Sequence, residues 1–351
     1  MEQLALTHFR NFRAYRLPLN SPQILIVGPN GSGKTSVIEA FSMLAFTRSW
    51  RTTREERLVQ YNQNLARVEL GGGERKLSVV IERTGERGVK RFFFDRKQIP
   101  TKQFIGHVKA VLFSPELVEI IRSGPGGRRR TINLLASQWK ADYAALLQRY
   151  IKAVTQRNAL LSLIQKGLQP ITQLSAWDAL VAELGAQLSK ERAQFLRYLE
   201  PEFNALVKTI TAHDSALHYL PSGTNTDVPD ARTLLEKLSS VRERDIRFAS
   251  TSVGPHRDDL AINVGGKPIL VDGSRGEVRL VALLLALGAY RKLSAADPTV
   301  TFLFDDLTSE FDIGRLRALR EVMPKAMRVI ATSTEPSIET LFPAINVISL
   351  Q

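Results

Sequence analysis

The segment ILIVGPNGSGKTSVIEAF, residues 24–41, leaves this chain little freedom in how it folds. An apolar run ends in glycine, a glycine-rich turn follows, and apolar periodicity then resumes: a buried strand, a tight loop and a helix. Gly28, Gly33, Lys34 and Thr35 take the fixed positions of G-x-x-x-x-G-K-[ST]. Glycines at 28, 31 and 33 let backbone N–H groups turn inward around phosphate oxygens, and the helix presents its positive end to them. The expected cradle is Gly28, Pro29, Asn30, Gly31, Ser32, Gly33, Lys34, Thr35 and Ser36. Lys34 is expected to reach the β and γ phosphates of ATP. Thr35 is expected to offer its hydroxyl to Mg2+, a hard ion that prefers oxygen.

A phosphate-bound metal needs a second ligand from another buried strand, and VTFLFDDLTSEFD, residues 300–312, supplies one. Asp305 follows Phe302, Leu303 and Phe304, which places it at a strand's carboxyl end beside the phosphate loop. Asp306 points the other way and is the candidate for orienting or deprotonating the attacking water. The expected catalytic residues are therefore Lys34, Asp305 and Asp306, and the expected metal ligands Thr35 and Asp305.

A second small turn, Ser274-Arg275-Gly276-Glu277, opens the apolar run VRLVALLLALG. It admits two readings. Ser274 can cap its own helix, with Glu277 as the third-position partner of a capping box. Alternatively, the hydroxyl and free N–H groups can face a phosphate. That place is already filled by Gly28–Thr35 in one subunit, so the second reading puts the turn against the γ-phosphate held by another copy. ATP then joins a two-fold dimer.

The first twenty residues alternate with period two, and RVEL, KLSVVIER, VKRFFFD and VKAVLF continue a β-rich half to residue 113. From about Ile132 the texture changes. Trp139, Tyr143, Leu146, Tyr150, Ala153, Leu160 and Ile164 recur at steps of three and four, and a second stripe runs through Trp177, Val181, Leu184, Leu188, Phe195 and Leu199. Two such helices with a short connection pack antiparallel, and a helix of about 30 residues reaches roughly 45 Å. They form either a protruding arm or an ordinary bundle subdomain. Strand-like and helix-like runs alternate again from Gly254. The expected organisation is an α/β head from 1–131 and 251–351, with a helical lobe inserted at 132–250.

Lys and Arg total 48 against 35 Asp and Glu, net +13 with a pI near 10.1. This favours a polyanionic partner, nucleic acid or an acidic membrane surface, alongside the simpler reading of basicity for solubility. With no cysteine, disulfides, thiolate metal sites and cysteine nucleophiles are excluded. The five histidines lack metal-ligand spacing. No signal peptide opens the sequence and no run of about 18 apolar residues occurs, so a cytoplasmic protein without a membrane segment is expected. Arg51, Arg54 and Arg57, and Arg128, Arg129 and Arg130, are candidates for sequence-independent contacts to DNA phosphates. The alternative for each cluster is a solvated face or an internal ion-pair network. Nothing resembles a base-reading motif.

Taken together, LTHFRNFRAY, GPNGSGKT, LFSPELVEIIRSGPGGRRR, VGPHRDDL, GSRGEVRLVALLLALG and FLFDDLTSEFDIGRLRAL resemble the RecF family of recombination and repair ATPases, related to SMC and ABC proteins. The matches run in order from end to end, outside the helical arm and the loop near 225. The resemblance implies an α/β fold: an ABC-type P-loop ATPase head with an inserted antiparallel helical second lobe. It implies a slow, DNA-dependent ATPase that forms a homodimer with ATP and binds double-stranded DNA. Its implied partner is RecR, extended to RecO, in loading RecA at gaps and stalled forks. It implies Ser274, Arg275, Gly276 and Glu277 as the signature acting in trans, Asp312 in the loop crossing the dimer seam, and Glu116 in the switch segment. Thr332 stands where many ABC ATPases carry a γ-phosphate-sensing histidine. Thr131 and Asn133 replace a usual aromatic and aspartate, Ser123 a glycine, Phe311 a leucine and Glu277 a common glutamine, and none of these removes a phosphate or metal ligand. Two other functions share these parts: the nucleotide-binding subunit of an ABC transporter, and a DNA-binding adaptor that scarcely hydrolyses ATP, which Asp306 and Thr332 permit.

Overall fold

The computed structural model describes residues 2–72, 75–224, 226–306, 313–334 and 345–350, with only the backbone at 75 and 313–317. Contacts divide the chain into two compact units, residues 1–119, 205–212 and 274–351, and residues 120–204 and 213–273.

In the first unit, β1 (Gln3–Phe9) and β2 (Phe12–Pro18) begin an antiparallel sheet. β3 (Gln23–Val27) and helix α1 (Lys34–Phe46) follow, before the same sheet continues with β4 (Leu65–Gly72), β5 (Arg75–Thr84), β6 (Arg87–Phe94) and β7 (Lys97–Ile99). Its order is β2-β1-β4-β5-β6-β7. Alternation sets its register: Leu4 pairs with Leu70, Leu6 with Val68, and Val68 with Val79, all buried on one face. After the single turn α2 (Thr101–Phe104) come β8 (Ala110–Phe113) and α3 (Pro115–Arg122).

The second unit opens with α4 (Pro125–Trp139), α5 (Ala141–Gln165) and α6 (Leu174–Thr211), whose last residues fall in the first unit. Then come β9 (Ser215–Leu220), α7 (Ala231–Ser240), α8 (Arg242–Phe248), β10 (Asp259–Val264), β11 (Lys267–Pro268) and the turn α9 (Ile269–Asp272). Contacts step backwards along α6 as they advance along α5: Tyr143 meets Arg192, Arg157 meets Asp178, and Leu161 packs with Leu174. The two helices are therefore antiparallel. One expectation needs correcting, because the stripe that began near Ile132 belongs to two helices. Lys140 is extended (φ −129°, ψ 124°) and separates α4 from α5. The compact unit also reaches beyond the 132–250 lobe, because β10 pairs antiparallel with β9 and α4 packs on β10.

At the centre of this unit Arg157 is fully buried, donating to Asp178 at 2.7 Å, Asp245 at 2.7 Å and Thr251 at 2.9 Å. Removing one partner from such a network costs about 3–5 kcal/mol, because it leaves an uncompensated buried charge.

The first unit closes with α10 (Arg275–Ala296), β12 (Thr301–Phe304), α11 (Ile313–Val322), β13 (Val329–Ser333) and β14 (Asn346–Ser349). Here the runs QILIV, AVLF, TFLF and VIATS meet in an all-parallel sheet of order β14-β3-β13-β12-β8. Parallel strands covered on both faces read as unbroken apolar runs, as these do. Phe302, Phe304, Phe113 and Tyr290 pack edge to face in its core. Each such buried ring contributes about 1.5–3 kcal/mol. The carboxyl ends of β3, β12 and β13 point the same way, which is where a doubly wound sheet places a ligand.

Candidate nucleotide site

The loop after β3 depends on glycine for space as well as backbone conformation. Gly31 and Gly33 have φ of 87° and 102°, which other residues rarely adopt. A Cβ on Gly33 would lie 2.6 Å from Phe12 Cζ, and one on Gly28 2.4 Å from the Leu350 carbonyl oxygen. Gly33 caps α1 without a side-chain hydrogen bond, so the helix start faces the loop. Lys34 Nζ lies across the loop, donating to the carbonyls of Gly28 at 2.6 Å and Pro29 at 2.9 Å. Ser32 Oγ is buried without a hydrogen-bond partner.

Asp305 follows β12, and β13 separates that strand from β3. Its carboxylate nonetheless reaches the loop: Thr35 Oγ1 donates to Asp305 Oδ1 at 3.1 Å. The intervening strand supplies a brace, since Thr332 Oγ1 donates to the same oxygen at 2.7 Å and accepts from the Asp306 N–H at 2.9 Å. Thr332, expected at a γ-phosphate-sensing position, thus fixes both aspartates. Asp306 has a left-handed φ of 52°, so the chain leaves strand geometry where this side chain lines the cavity.

Burial pushes the Asp305 carboxyl up to about 6; the negative charges of Glu116 and Asp306 add to this, while the hydrogen bonds from Thr332 and Thr35 oppose it. A buried carboxylate beside a hydroxyl suits a hard divalent cation, so Thr35 and Asp305 fit Mg2+. Among the described residues no group of three or more His, Cys, Asp or Glu could hold a metal ion. The remaining ligands of such an ion would be phosphate oxygens and water.

Gly33, Lys34, Thr35, Asp305, Asp306 and Thr332 line one cavity of about 590 Å3, together with Asn30, Gly31 and Ser36, whereas Gly28, Pro29 and Ser32 of the expected cradle do not line it. Its wall also carries Arg10, Asn11, Arg51, Arg57, Tyr61 and Arg83. Arg10, Asn11, Tyr61 and Arg83 were not anticipated as site residues. The segment FRNF held the signal for the first two, but nothing in it fixed their direction. Arg51 and Arg57, expected as candidates for DNA contacts, line this cavity.

Ser274 is the N-cap of α10 in a complete capping box: its hydroxyl accepts from the Glu277 N–H at 3.3 Å, and its own N–H donates to Glu277 Oε2 at 2.8 Å. Ser274, Arg275 and Glu277 are exposed, and none of the four signature residues lines the phosphate cavity. Glu116 opens α3, 3.6 Å from Arg51. Asp312 lies outside the described residues, as does Phe311.

In the second unit Arg128 forks onto Asp259 at 2.6 and 2.7 Å, and Arg129 donates to the Asp258 carbonyl at 2.5 Å. These two guanidiniums have the internal partners that the sequence left open as the alternative to DNA phosphates. Asn133 and Tyr143 join the same region, with Arg192 donating to both, and Tyr219 donates to Asp258. Arg54 is exposed and Arg130 half-buried.

Among the described residues no helix is long and apolar enough to cross a membrane. The family model described as "RecF/RecN/SMC N terminal domain" matches residues 1–339. A "DNA replication and repair protein RecF" of Roseiflexus castenholzii is 32% identical, covering 94% of this chain and 92% of its own length. That of Geobacillus thermodenitrificans is 31% identical over 95% and 92%. Among solved structures, the recombination mediator protein RecF-ATP in the RecFOR pathway matches with a TM-score of 0.85 at 27% identity, covering 95% of this chain and 92% of that one. An Smc head bound to ScpA matches at 0.55 and 14% identity, covering 99% and 94%, a likeness of fold. The chain belongs to the RecF family of DNA replication and repair proteins, with the ABC-type ATPase head that this family shares with SMC proteins.

Proposed function

We propose that this chain binds ATP with Mg2+ at Gly28–Ser36, hydrolyses it slowly, and closes with a second copy into a dimer that holds duplex DNA. Working with RecR and RecO, it then assists RecA loading at gaps. The observation that carries this reading is the convergence of Thr35 and Asp305, 3.1 Å apart, beside a glycine loop at the carboxyl ends of a parallel sheet. The relatives solved with ATP support the choice of nucleotide. When bound, Mg2+ supplies positive charge to the phosphate oxygens and to Asp305. Lys34 exchanges the Gly28 and Pro29 carbonyls for β and γ phosphate oxygens, and Asp306 orients the attacking water.

Ser274 exchanges a cap for a phosphate. The cap contributes about 1 kcal/mol, less than the 1.5–3 kcal/mol of a typical hydrogen bond to a charged group. The N–H groups of Arg275 and Gly276 open α10 without intrahelical partners and can join it. ATP acts through its greater affinity for the closed dimer, and the net charge of +13 supports a nucleic-acid partner. Filter retention of duplex DNA tests this: retention that rises with Mg·ATP is expected, and equal retention with and without nucleotide contradicts the clamp.

A further inference from the structure

Arg51 lies on the wall of the phosphate cavity with its guanidinium shared between two carboxylates. NH1 is 3.7 Å from Glu39 Oε2 and Nε is 3.6 Å from Glu116 Oε1, both longer than a good hydrogen bond. Glu39, fully buried in α1, has other partners: Arg10 donates to its two oxygens at 2.8 and 2.6 Å, and Ser49 Oγ donates at 2.5 Å. The same Ser49 Oγ accepts from the backbone N–H groups of Arg51 and Thr52, at 2.9 and 3.1 Å. The backbone at residue 51 is thus pinned to α1 while its side chain is held loosely. On the far side, Glu116 Oε2 is buried without a hydrogen-bond partner.

We propose that Arg51 is a latch displaced by nucleotide: without nucleotide it holds Glu116 at the start of α3, and the phosphates of a nucleoside triphosphate draw it away. The Arg51–Glu116 pair has side chains 36% and 44% exposed, so solvent keeps the attraction small. A polyphosphate carries more charge and accepts guanidinium hydrogen bonds in a fork, so it outcompetes one distant carboxylate. Glu39 loses little in the exchange, since Arg10 and Ser49 remain on it. Occupancy of the phosphate loop is thereby reported to the first turn of α3, the segment expected to act as a switch. This rests on the nucleotide reading above.

The test is a double-mutant cycle in the full chain, following the affinity for a fluorescent ATP analogue in EDTA so that any metal role of Glu116 is silent. Arg51→Gln is expected to bind roughly tenfold more weakly, with Arg51→Lys between it and the unmodified chain. Glu116→Gln is expected to bind about threefold more tightly, a gain that misfolding cannot produce. In the Arg51→Gln background the Glu116 substitution should have no effect. An equal effect of Glu116→Gln in both backgrounds, or none in either, overturns the latch alone. An unmodified chain that fails to bind the analogue overturns the nucleotide reading and the latch with it.

Discussion

Replacing Thr332 by valine keeps the volume and branching of a fully buried side chain while deleting one oxygen atom. That oxygen makes two bonds. It donates to Asp305 Oδ1 at 2.7 Å, where loss of a hydrogen bond to a charged group costs about 1.5–3 kcal/mol. It also accepts from the Asp306 N–H at 2.9 Å, and an orphaned buried donor costs about 1–3 kcal/mol. Allowing for partial relaxation, Thr332→Val should lower unfolding stability by about 3 kcal/mol, read from urea denaturation. If Asp305 and Asp306 have the proposed roles, its effect on turnover should be larger than instability explains, because both lose their brace. Mg-dependent phosphate release, measured under conditions where the variant is folded, should fall at least roughly tenfold, the equivalent of 1.4 kcal/mol at the transition state. Thr332→Ser keeps the hydroxyl and should restore most of both properties. If the valine variant matches the unmodified protein, or the serine variant is as impaired as the valine, Thr332 does not brace the aspartates.

Three further outcomes follow from the geometry. Gly33→Ala forces a Cβ to 2.6 Å from Phe12 Cζ at a φ of 102°, so ATP-analogue binding should be lost, with strain of about 1–3 kcal/mol visible in the denaturation midpoint. Asp245→Ala strips one partner from the buried Arg157 and should cost about 3–5 kcal/mol in stability without preventing nucleotide binding by the folded fraction. His256 is half-buried, its ring bonded to Tyr150 and to the Thr251 carbonyl, and loss of solvent around the ring brings it down to about 4. Above the ordinary histidine value of about 6.5 it is neutral in both the folded and unfolded chain. As pH falls from there, only the unfolded chain takes up the proton. Stability should therefore decline between about pH 6.5 and 4, by about 3 kcal/mol in all, and denaturation of His256→Gln should show a correspondingly shallower decline.

The glycine loop after β3 and the position of Asp305 at the end of β12 were legible because local rules determine them. Glycines must stand where N–H groups turn inward, and TFLF must end a buried strand before Asp305. QILIV and TFLF were readable as buried strands in the same way, but their joining with AVLF and VIATS into one all-parallel sheet was not, because it depends on pairings between strands far apart in sequence. Nor were the arginines. TRSWRTTREER and GGRRR look alike as strings, yet Arg51 and Arg57 face the cavity beside the glycine loop while Arg128 and Arg129 bond to Asp259 and Asp258. Their partners lie far away in sequence, and only tertiary contact decides between phosphate and carboxylate. The break at Lys140 was hidden for a different reason. Trp139 packs against Phe195 and Tyr198 while Tyr143 meets Arg192, so the helical period continues across a residue that is not helical. Ser274–Glu277 was legible as a capping box, one of the two readings its residues admit.

The central claim, a nucleotide shared between two copies, is tested most directly by sedimentation of the full chain with and without Mg·ATP, alongside Ser274→Arg. The account predicts a dimer only with nucleotide, and a Ser274→Arg chain that binds the ATP analogue yet stays monomeric. A monomer under saturating Mg·ATP, or a Ser274→Arg chain that pairs as readily as the unmodified one, would contradict it.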